Sequence, residues 1–237
     1  MKDRRFAAVI FDFGGVFTTS PVENFAVYES RRGLPHRFIG GVIKSRLHDG
    51  AFARFERGEI DVAQFDDLFA AETRAAGHEI RGRDFAQLLD VALKPEMIAA
   101  LGAVKRAGYK TGCITNNFPS IDSDGSPRQA QRSASLAAIF RDFDHLLESS
   151  KVGVRKPEPR IYEMMLEALA LPASECVFLD DLGVNLKPAQ AMGMTTIKVP
   201  FGDVAPAIRE LSALTGVDLT SPAAAGTNAQ EAHSPTA

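Results

Sequence analysis

Phe6-Ala7-Ala8-Val9-Ile10-Phe11-Asp12-Phe13-Gly14-Gly15-Val16 is the stretch on which the fold turns. Its apolar run, Phe6 to Phe11, is continuous rather than alternating, the pattern of a strand covered on both faces, as in a parallel sheet. The run ends on a carboxylate followed by two glycines. Four further runs have the same character: Tyr109–Ile114, Phe143–Leu147, Cys176–Leu179 and Thr195–Val199. Helical patterns lie between them. One starts at Pro95, where the missing N–H of proline is harmless, and stops at Gly108. Another runs from about Pro159, with Ile161, Met165, Leu166 and Leu169 on one face, and ends before Pro172. A third covers Asn185 to Met192. Alternation of strand and helix predicts an α/β fold, a Rossmann-like, doubly wound parallel sheet.

From Pro21 to Lys94 the rhythm breaks. The segment has no convincing strand but shows helical patterns over Val22–Arg32, His36–His48, Asp61–Ala75 and Asp84–Val91. At roughly 75 residues it is far longer than an ordinary connection. The expected organisation is a core of residues 1–20 and 95–218, an inserted helical domain of residues 21–94, and a tail of residues 219–237. The tail, from Ser221 onward, is rich in Ala, Pro, Ser, Gly and Thr and is expected to be disordered. Phe118–Ser133 and Glu148–Pro159 read as polar loops.

Composition narrows the function. A formal net charge of −3 over 237 residues, without a long Lys/Arg block, leaves no electrostatic footprint for nucleic acid. No stretch approaches the ~18 apolar residues of a membrane helix. The apolar run before Asp12 is too short for a secretory signal, and no cleavage site follows it. Cys113 and Cys176 sit in apolar runs without CxxC spacing and read as buried thiols in a reducing compartment. A cytoplasmic protein is expected.

Ligands of open α/β sheets gather beyond the carboxyl ends of the strands. There the sequence sets Asp12-Phe13-Gly14-Gly15-Val16, then Thr115-Asn116-Asn117, then Arg155-Lys156-Pro157-Glu158-Pro159, then Asp180-Asp181. Each is weak alone, since Asp after a strand is usually a turn former or helix cap. Together they carry chemistry. Carboxylates ~4 Å apart repel by about 4 kcal/mol per pair at an effective dielectric near 20, so the cluster must take up protons or hold a cation. All-oxygen ligands without His or Cys favour a hard ion, with Mg²⁺ first. Mg²⁺, a lysine and a threonine hydroxyl around a free carboxylate form a receptor for a phosphoryl group, and a carboxylate can attack phosphorus.

These four segments, with Phe178-Leu179-Asp180-Asp181-Leu182-Gly183-Val184-Asn185, resemble the four ordered motifs of the haloacid dehalogenase superfamily. Leu179–Ala189 and Val152–Tyr162 are particularly similar to the N-terminal phosphatase domain of bifunctional soluble epoxide hydrolases. Some bacterial sugar-1-phosphate phosphatases, and the hydrolase domain fused to certain acyl-CoA dehydrogenases, are similar too. The resemblance runs from about Ala7 to Val217. It implies Asp12 as nucleophile and Mg²⁺ ligand, with the Gly14 carbonyl and Asp181 completing the metal set. Thr115 and Asn116 would bind phosphoryl oxygens, Lys156 would steady Asp12 and the phosphate, Asp180 would orient the metal's waters or join its shell, and Asn185 would support the ligands. The helical insertion would be a C1-type cap closing over a small phosphorylated substrate.

One position departs from the pattern. Phosphatases of this family usually carry their general acid/base aspartate where this chain has Gly14. Such catalysis is typically worth 10²–10⁴-fold, about 3–5 kcal/mol of barrier. Three readings stay open: a phosphatase whose acid comes from elsewhere or whose leaving group needs no proton, a haloacid dehalogenase-type hydrolase of C–halogen bonds, or a slow relative that binds a phosphorylated ligand. For the first, His36, His48 and the acidic residues of the cap are the donors to consider.

Overall fold

The computed structural model describes residues 4–86, 92–118 and 127–220. Five strands form one parallel sheet: β1 (Ala8–Phe11), β2 (Lys110–Thr115), β3 (His145–Glu148), β4 (Cys176–Asp180) and β5 (Thr195–Lys198). Their spatial order is β3-β2-β1-β4-β5. Ala8 of the central strand β1 pairs with Lys110 on one side and Cys176 on the other. The strand order therefore reverses between β1 and β4, and the crevice outside their carboxyl ends is the switch point at which such sheets bind ligands.

Both faces of the sheet are covered, as the unbroken apolar runs require. Val9 and Phe11 pack with Met97, Leu101, Val104, Ile208 and Leu211 on one face. Ala8 and Ile10, pointing the other way as successive strand residues must, pack with Ile161, Tyr162, Met165 and Leu169 on the other. The first layer comes from α6 (Pro95–Arg106), α7 (Pro127–Arg141) and α11 (Ala205–Thr215), the second from α9 (Pro159–Leu169) and α10 (Gly183–Ala191). Cys113 and Cys176 are buried free thiols.

Between β1 and α6 the chain builds α1 (Pro21–Arg32), α2 (Phe38–Ser45), α3 (Ala51–Glu56), α4 (Val62–Ala75) and α5 (Gly82–Ala86). These helices bury a cluster of their own, with Phe25, Ile39, Phe55, Phe65, Phe69 and Ile80 at its centre. Phe55 and Phe65 stack with ring centroids 4.5 Å apart. The outgoing and returning chains bond to one another: Thr18 and Leu93 form an antiparallel bridge, and Lys94 N donates to Phe17 O at 2.8 Å. No helix among the described residues is long and apolar enough to cross a membrane.

Several expectations change. Residues 127–133, read as part of a polar loop, open α7 instead. Pro127 stands at the first turn, where its missing N–H costs nothing, and the Gln and Ala residues after it are good helix formers. Ile139 is buried from this helix, and Leu136 and Phe140 pack beside it. The Glu148–Pro159 loop contains one short helix, α8 (Ser149–Val152). Helix α10 opens at Gly183, two residues before Asn185. Leu219, assigned to the tail, is buried against the first cluster, as a lone bulky apolar side chain beside an open core edge should be. The disorder expected for residues 221–237, the helical pattern over residues 87–91 and the loop over residues 119–126 lie outside the described residues.

Candidate active site

Asp12 leaves the end of β1 on a rigid base. Phe17 N donates to Phe13 O at 2.9 Å, closing one helical turn directly after it. Phe13 is buried against Phe140, ring centroids 4.5 Å apart, and Phe17 meets Phe143 edge-on. Gly15 cannot be another residue here. Its φ of +77° is left-handed, and a Cβ would come within 2.1 Å of Asp181 Oδ2. Lys94, itself buried, donates from Nζ to Gly15 O at 2.9 Å and holds the turn from the far side.

Four of the candidate residues meet in a small volume. Lys156 Nζ lies 2.6 Å from Asp12 Oδ1 and 2.8 Å from Asp180 Oδ2, with the lysine almost wholly buried. Carboxylate oxygens of Asp12, Asp180 and Asp181 lie within 4.8 Å of one another. The two oxygens of Asp12 are used differently. Oδ1 accepts from Phe13 N at 2.6 Å as well as from Lys156, while among the described residues Oδ2 accepts no hydrogen bond.

Asp180 and Asp181 also divide their tasks. Asp180 is fully buried and its oxygens are taken up by Lys156 Nζ, Leu182 N at 2.7 Å and Asn185 Nδ2 at 3.1 Å. Asp181 accepts from Ser20 Oγ at 2.8 Å and lines the cavity that Asp12 opens onto, together with Gly14. Thr115 is buried at the end of β2. Asn116 is committed to the backbone: it donates to Lys156 O at 2.9 Å and accepts from Lys156 N at 2.8 Å. It thus sets the carrier loop of Lys156, a contact that spacing alone did not disclose.

The charges are out of balance. Three carboxylates cluster beside one ammonium, that of Lys156, which contacts Asp12 and Asp180; with all three ionised, two negative charges would be in excess. Burial, with Asp180 and Asp181 adding to it against Lys156, pushes Asp12 well above the usual carboxylate range. Asp181 is raised to about 6 by burial and by the charge of Asp180. Burial would lower the Lys156 ammonium, but Asp12 and Asp180 prevail and hold it charged. Raised carboxylates clustered in oxygen-only surroundings are what a hard divalent cation would relieve. Asp12, Asp181 and the Gly14 carbonyl have the chemistry to hold Mg²⁺.

Above the carboxylates lies a cavity of about 380 Å³ with a mostly apolar wall, including Val22, Phe25, Ile43, Leu47, Phe52 and Phe118. The stripe Gly40, Ile43, Lys44 and Leu47, at helical i, i+3, i+4, i+7 spacing, turns one side of the α2 segment toward it. Gly14 is open to this space: a Cβ there would meet nothing within 4 Å. His36 and His48 are exposed and do not line the cavity, which corrects their nomination as donors. Their helical segment turns its apolar stripe inward and leaves them on its solvated side. Ser20, Glu56 and Arg155 do line it. Ser20 was visible in sequence only as the residue before the Pro21 helix start, and nothing local distinguished Glu56 from its charged neighbours.

A parallel sheet here carries a carboxylate cluster and a buried lysine at its switch point, and comparison with known proteins gives the chain a family. The family model described as haloacid dehalogenase-like hydrolase matches residues 6–193, and the chain belongs to that family. It is 33% identical over 223 residues to bifunctional epoxide hydrolase 2 of Sus scrofa, covering 90% of this chain and 39% of that protein. The chain therefore spans about two fifths of the length of the epoxide hydrolases it matches. A sesquiterpene phosphatase of Aspergillus oryzae is 30% identical over 192 residues, covering 80% of this chain and 87% of that protein. A haloacid dehalogenase family enzyme of Bacteroides thetaiotaomicron, solved in complex with magnesium and inorganic phosphate, shares the fold. Its TM-score is 0.53 at 20% identity, over 84% of this chain and 96% of that one.

Proposed function

We propose that the chain is a Mg²⁺-dependent phosphatase of monoesters with an apolar organic part, working through an aspartyl-phosphate on Asp12. The observation that carries this reading is the asymmetry of Asp12: Oδ1 is pinned by Lys156 and Phe13 N, and Oδ2 accepts no hydrogen bond among the described residues. A pinned carboxylate with one unencumbered oxygen is an oriented nucleophile. Lys156 favours the anion of Asp12 and offsets phosphate charge as phosphorus approaches. Thr115 and Asn116 stand at the mouth of β2, where phosphoryl oxygens would be received. Asp180 acts by fixing Lys156 and Asn185. Mg²⁺, held by Asp12, Asp181 and the Gly14 carbonyl, would supply the positive charge that lets an anionic carboxylate meet an anionic phosphate.

The wall above supports the choice of substrate. Each buried methylene of an ester's organic part gains about 0.8 kcal/mol, whereas sugar hydroxyls would meet few partners among Val22, Phe25, Ile43 and Phe52. The A. oryzae relative, named as a sesquiterpene phosphatase, points the same way. In this reading residues 21–94 are a cap whose closure excludes water and supplies the apolar contacts.

The test is release of inorganic phosphate from a panel of alkyl, prenyl and sugar phosphates, with Mg²⁺ or EDTA, for wild type and Asp12→Asn. Turnover is expected for the apolar esters, lost in EDTA and in Asp12→Asn. Absence of Mg²⁺-dependent turnover with every ester sinks the reading, and halide release from 2-chloropropionate that persists in EDTA would install dehalogenation in its place.

A further inference from the structure

We propose that Glu56 is the proton donor and acceptor that Gly14 cannot be, a role that rests on the phosphatase reading above. Glu56 ends α3, far from the strand motifs in sequence, yet it lines the same cavity as Asp12 and Gly14. Its carboxyl is arranged as that of Asp12 is. Oε2 accepts from Arg155 Nε and, at 3.4 Å, from Asn116 Nδ2. Among the described residues Oε1 accepts no hydrogen bond, and Glu56 lines the cavity.

The geometry also keeps it in place. Ser149 Oγ donates to Glu56 O at 2.6 Å, and Arg155 Nη1 donates to Leu47 O at 2.8 Å, so the carboxyl is held between the helical insertion and the loop that carries Lys156. The other ionisable groups lining the cavity are unsuited. Asp12 and Asp181 belong to the metal set, Lys156 is bound to two carboxylates, Arg155 does not give up its proton, and Lys44 is exposed. The charged groups facing Glu56 are Arg155, Lys156 and Arg57, all of which favour its anion. Burial outweighs them and raises the carboxyl above its ordinary value.

The steps balance. Asp12 Oδ2 bonds to phosphorus as the P–O bond to the alcohol breaks, and the Glu56 proton passes to the departing oxygen. Glu56, now anionic, takes a proton from water, whose oxygen bonds to phosphorus as the Asp12–phosphorus bond breaks. Phosphate leaves, and Asp12 and protonated Glu56 are restored.

The experiment compares kcat/KM, which reports steps through departure of the leaving group and not the later attack of water, for an alkyl phosphate, whose leaving group needs a proton, and for p-nitrophenyl phosphate, whose leaving group does not. Wild type, Glu56→Gln and Glu56→Asp are measured with Mg²⁺. Glu56→Gln is expected to lose 10²–10⁴-fold on the alkyl ester, the usual range for a lost general acid, and under about tenfold on the aryl ester. Glu56→Asp keeps a partner for Arg155 and draws Oε1 back by one methylene. It should show the same split, and it carries the test if the melting curve of Glu56→Gln shows a chain that does not fold. Equal losses on the two esters, or none, overturn the proposal while leaving the phosphatase standing. Wild type that hydrolyses neither ester overturns the phosphatase reading, and the proposal with it.

Discussion

Replacing Lys156 by methionine should destabilise the metal-free protein strongly at neutral pH and far less in acid. Methionine has nearly the length and flexibility of lysine and fills the same channel, so the substitution removes the charge and little else. The ammonium touches Asp12 at 2.6 Å and Asp180 at 2.8 Å and is 1% exposed. Removing one partner of a buried ion pair costs roughly 3–5 kcal/mol, because the other is left buried and unpaired. For a chain of this size each kcal/mol moves Tm by roughly 2–4 °C, so a fall of about 6–20 °C is expected. The sign with pH follows from the carboxylates. The folded pKa of Lys156 is raised, so the lysine of the wild type is charged, and its contribution complete, everywhere below its unfolded value near 10.4. Asp12 and Asp181 are already raised, and without the ammonium they rise further. As pH falls they take up protons and the repulsion disappears. Circular-dichroism melts in EDTA at about pH 8 and about pH 5 should show most of the deficit at the higher value. A fall of less than about 2 °C, or the same fall at both pH values, would refute this account of the charge balance.

Three other outcomes are expected. Burial and the charge of Asp180 raise Asp181 to about 6, above the ordinary carboxylate range, so its ionisation opposes folding increasingly as pH rises through that window and Mg²⁺ must compete with its proton. The rise in Tm on adding Mg²⁺ should therefore be full at about pH 8 and mostly gone by about pH 5, and a constant rise would contradict it. Gly15→Ala should abolish both that Mg²⁺ shift and hydrolysis, because its Cβ would meet Asp181 Oδ2 at 2.1 Å from a backbone at φ +77°; Gly14→Ala, with nothing within 4 Å, should leave Tm nearly unchanged, and similar melts for the two would refute the distinction. Gly40→Leu should raise Tm slightly, since leucine is a better helix former than glycine, by somewhat less than the roughly 0.8–1 kcal/mol that separates alanine from glycine. It should also raise KM for long-chain esters but not short ones, because Gly40 lines the cavity and its Cβ would enter open space; unchanged chain-length preference would remove α2 from substrate selection.

What the sequence discloses here follows from how far each signal reaches. Strands β1, β2 and β4 stand out because burial on both faces demands unbroken apolar runs, and Asp12, Thr115 and Asp180 follow because strand ends in a parallel sheet converge. Helix α7 is hidden by its first turn, where Pro127, Arg128 and Gln129 carry the composition of a loop. The apolar face that holds it, Leu136, Ile139 and Phe140, comes only later. Glu56 is hidden more deeply. It stands in Arg54-Phe55-Glu56-Arg57, beside an equally acidic Glu59, and local pattern ranks the two alike. In the fold, Glu59 pairs with Arg54 and Arg57 at the surface, while Glu56 is turned inward behind buried Phe55 onto Arg155. Only a contact across 99 residues separates them, and no periodicity carries that distance.

Two carboxyls, Asp12 and Glu56, open onto the cavity in the same way, one oxygen fastened and the other accepting nothing among the described residues. Counterions give them different work in the proposed enzyme. Glu56 has a guanidinium to itself, and the pair is neutral when ionised; a dication there would gain little and would meet the repulsion of Arg155. Asp12 shares one ammonium with Asp180, with Asp181 clustered beside them, and the excess of negative charge draws a cation to its side. A carboxyl that holds a cation cannot trade protons near neutrality, because the cation keeps it ionised. Glu56, fastened to an arginine and lining the cavity outside the metal set, is free of that constraint. Asn116 joins the two, with one edge on the Lys156 backbone and Nδ2 also within 3.4 Å of Glu56. With the proton placed on Glu56, the glycine at position 14 takes no function from the site and leaves room beside the nucleophile for the apolar ester.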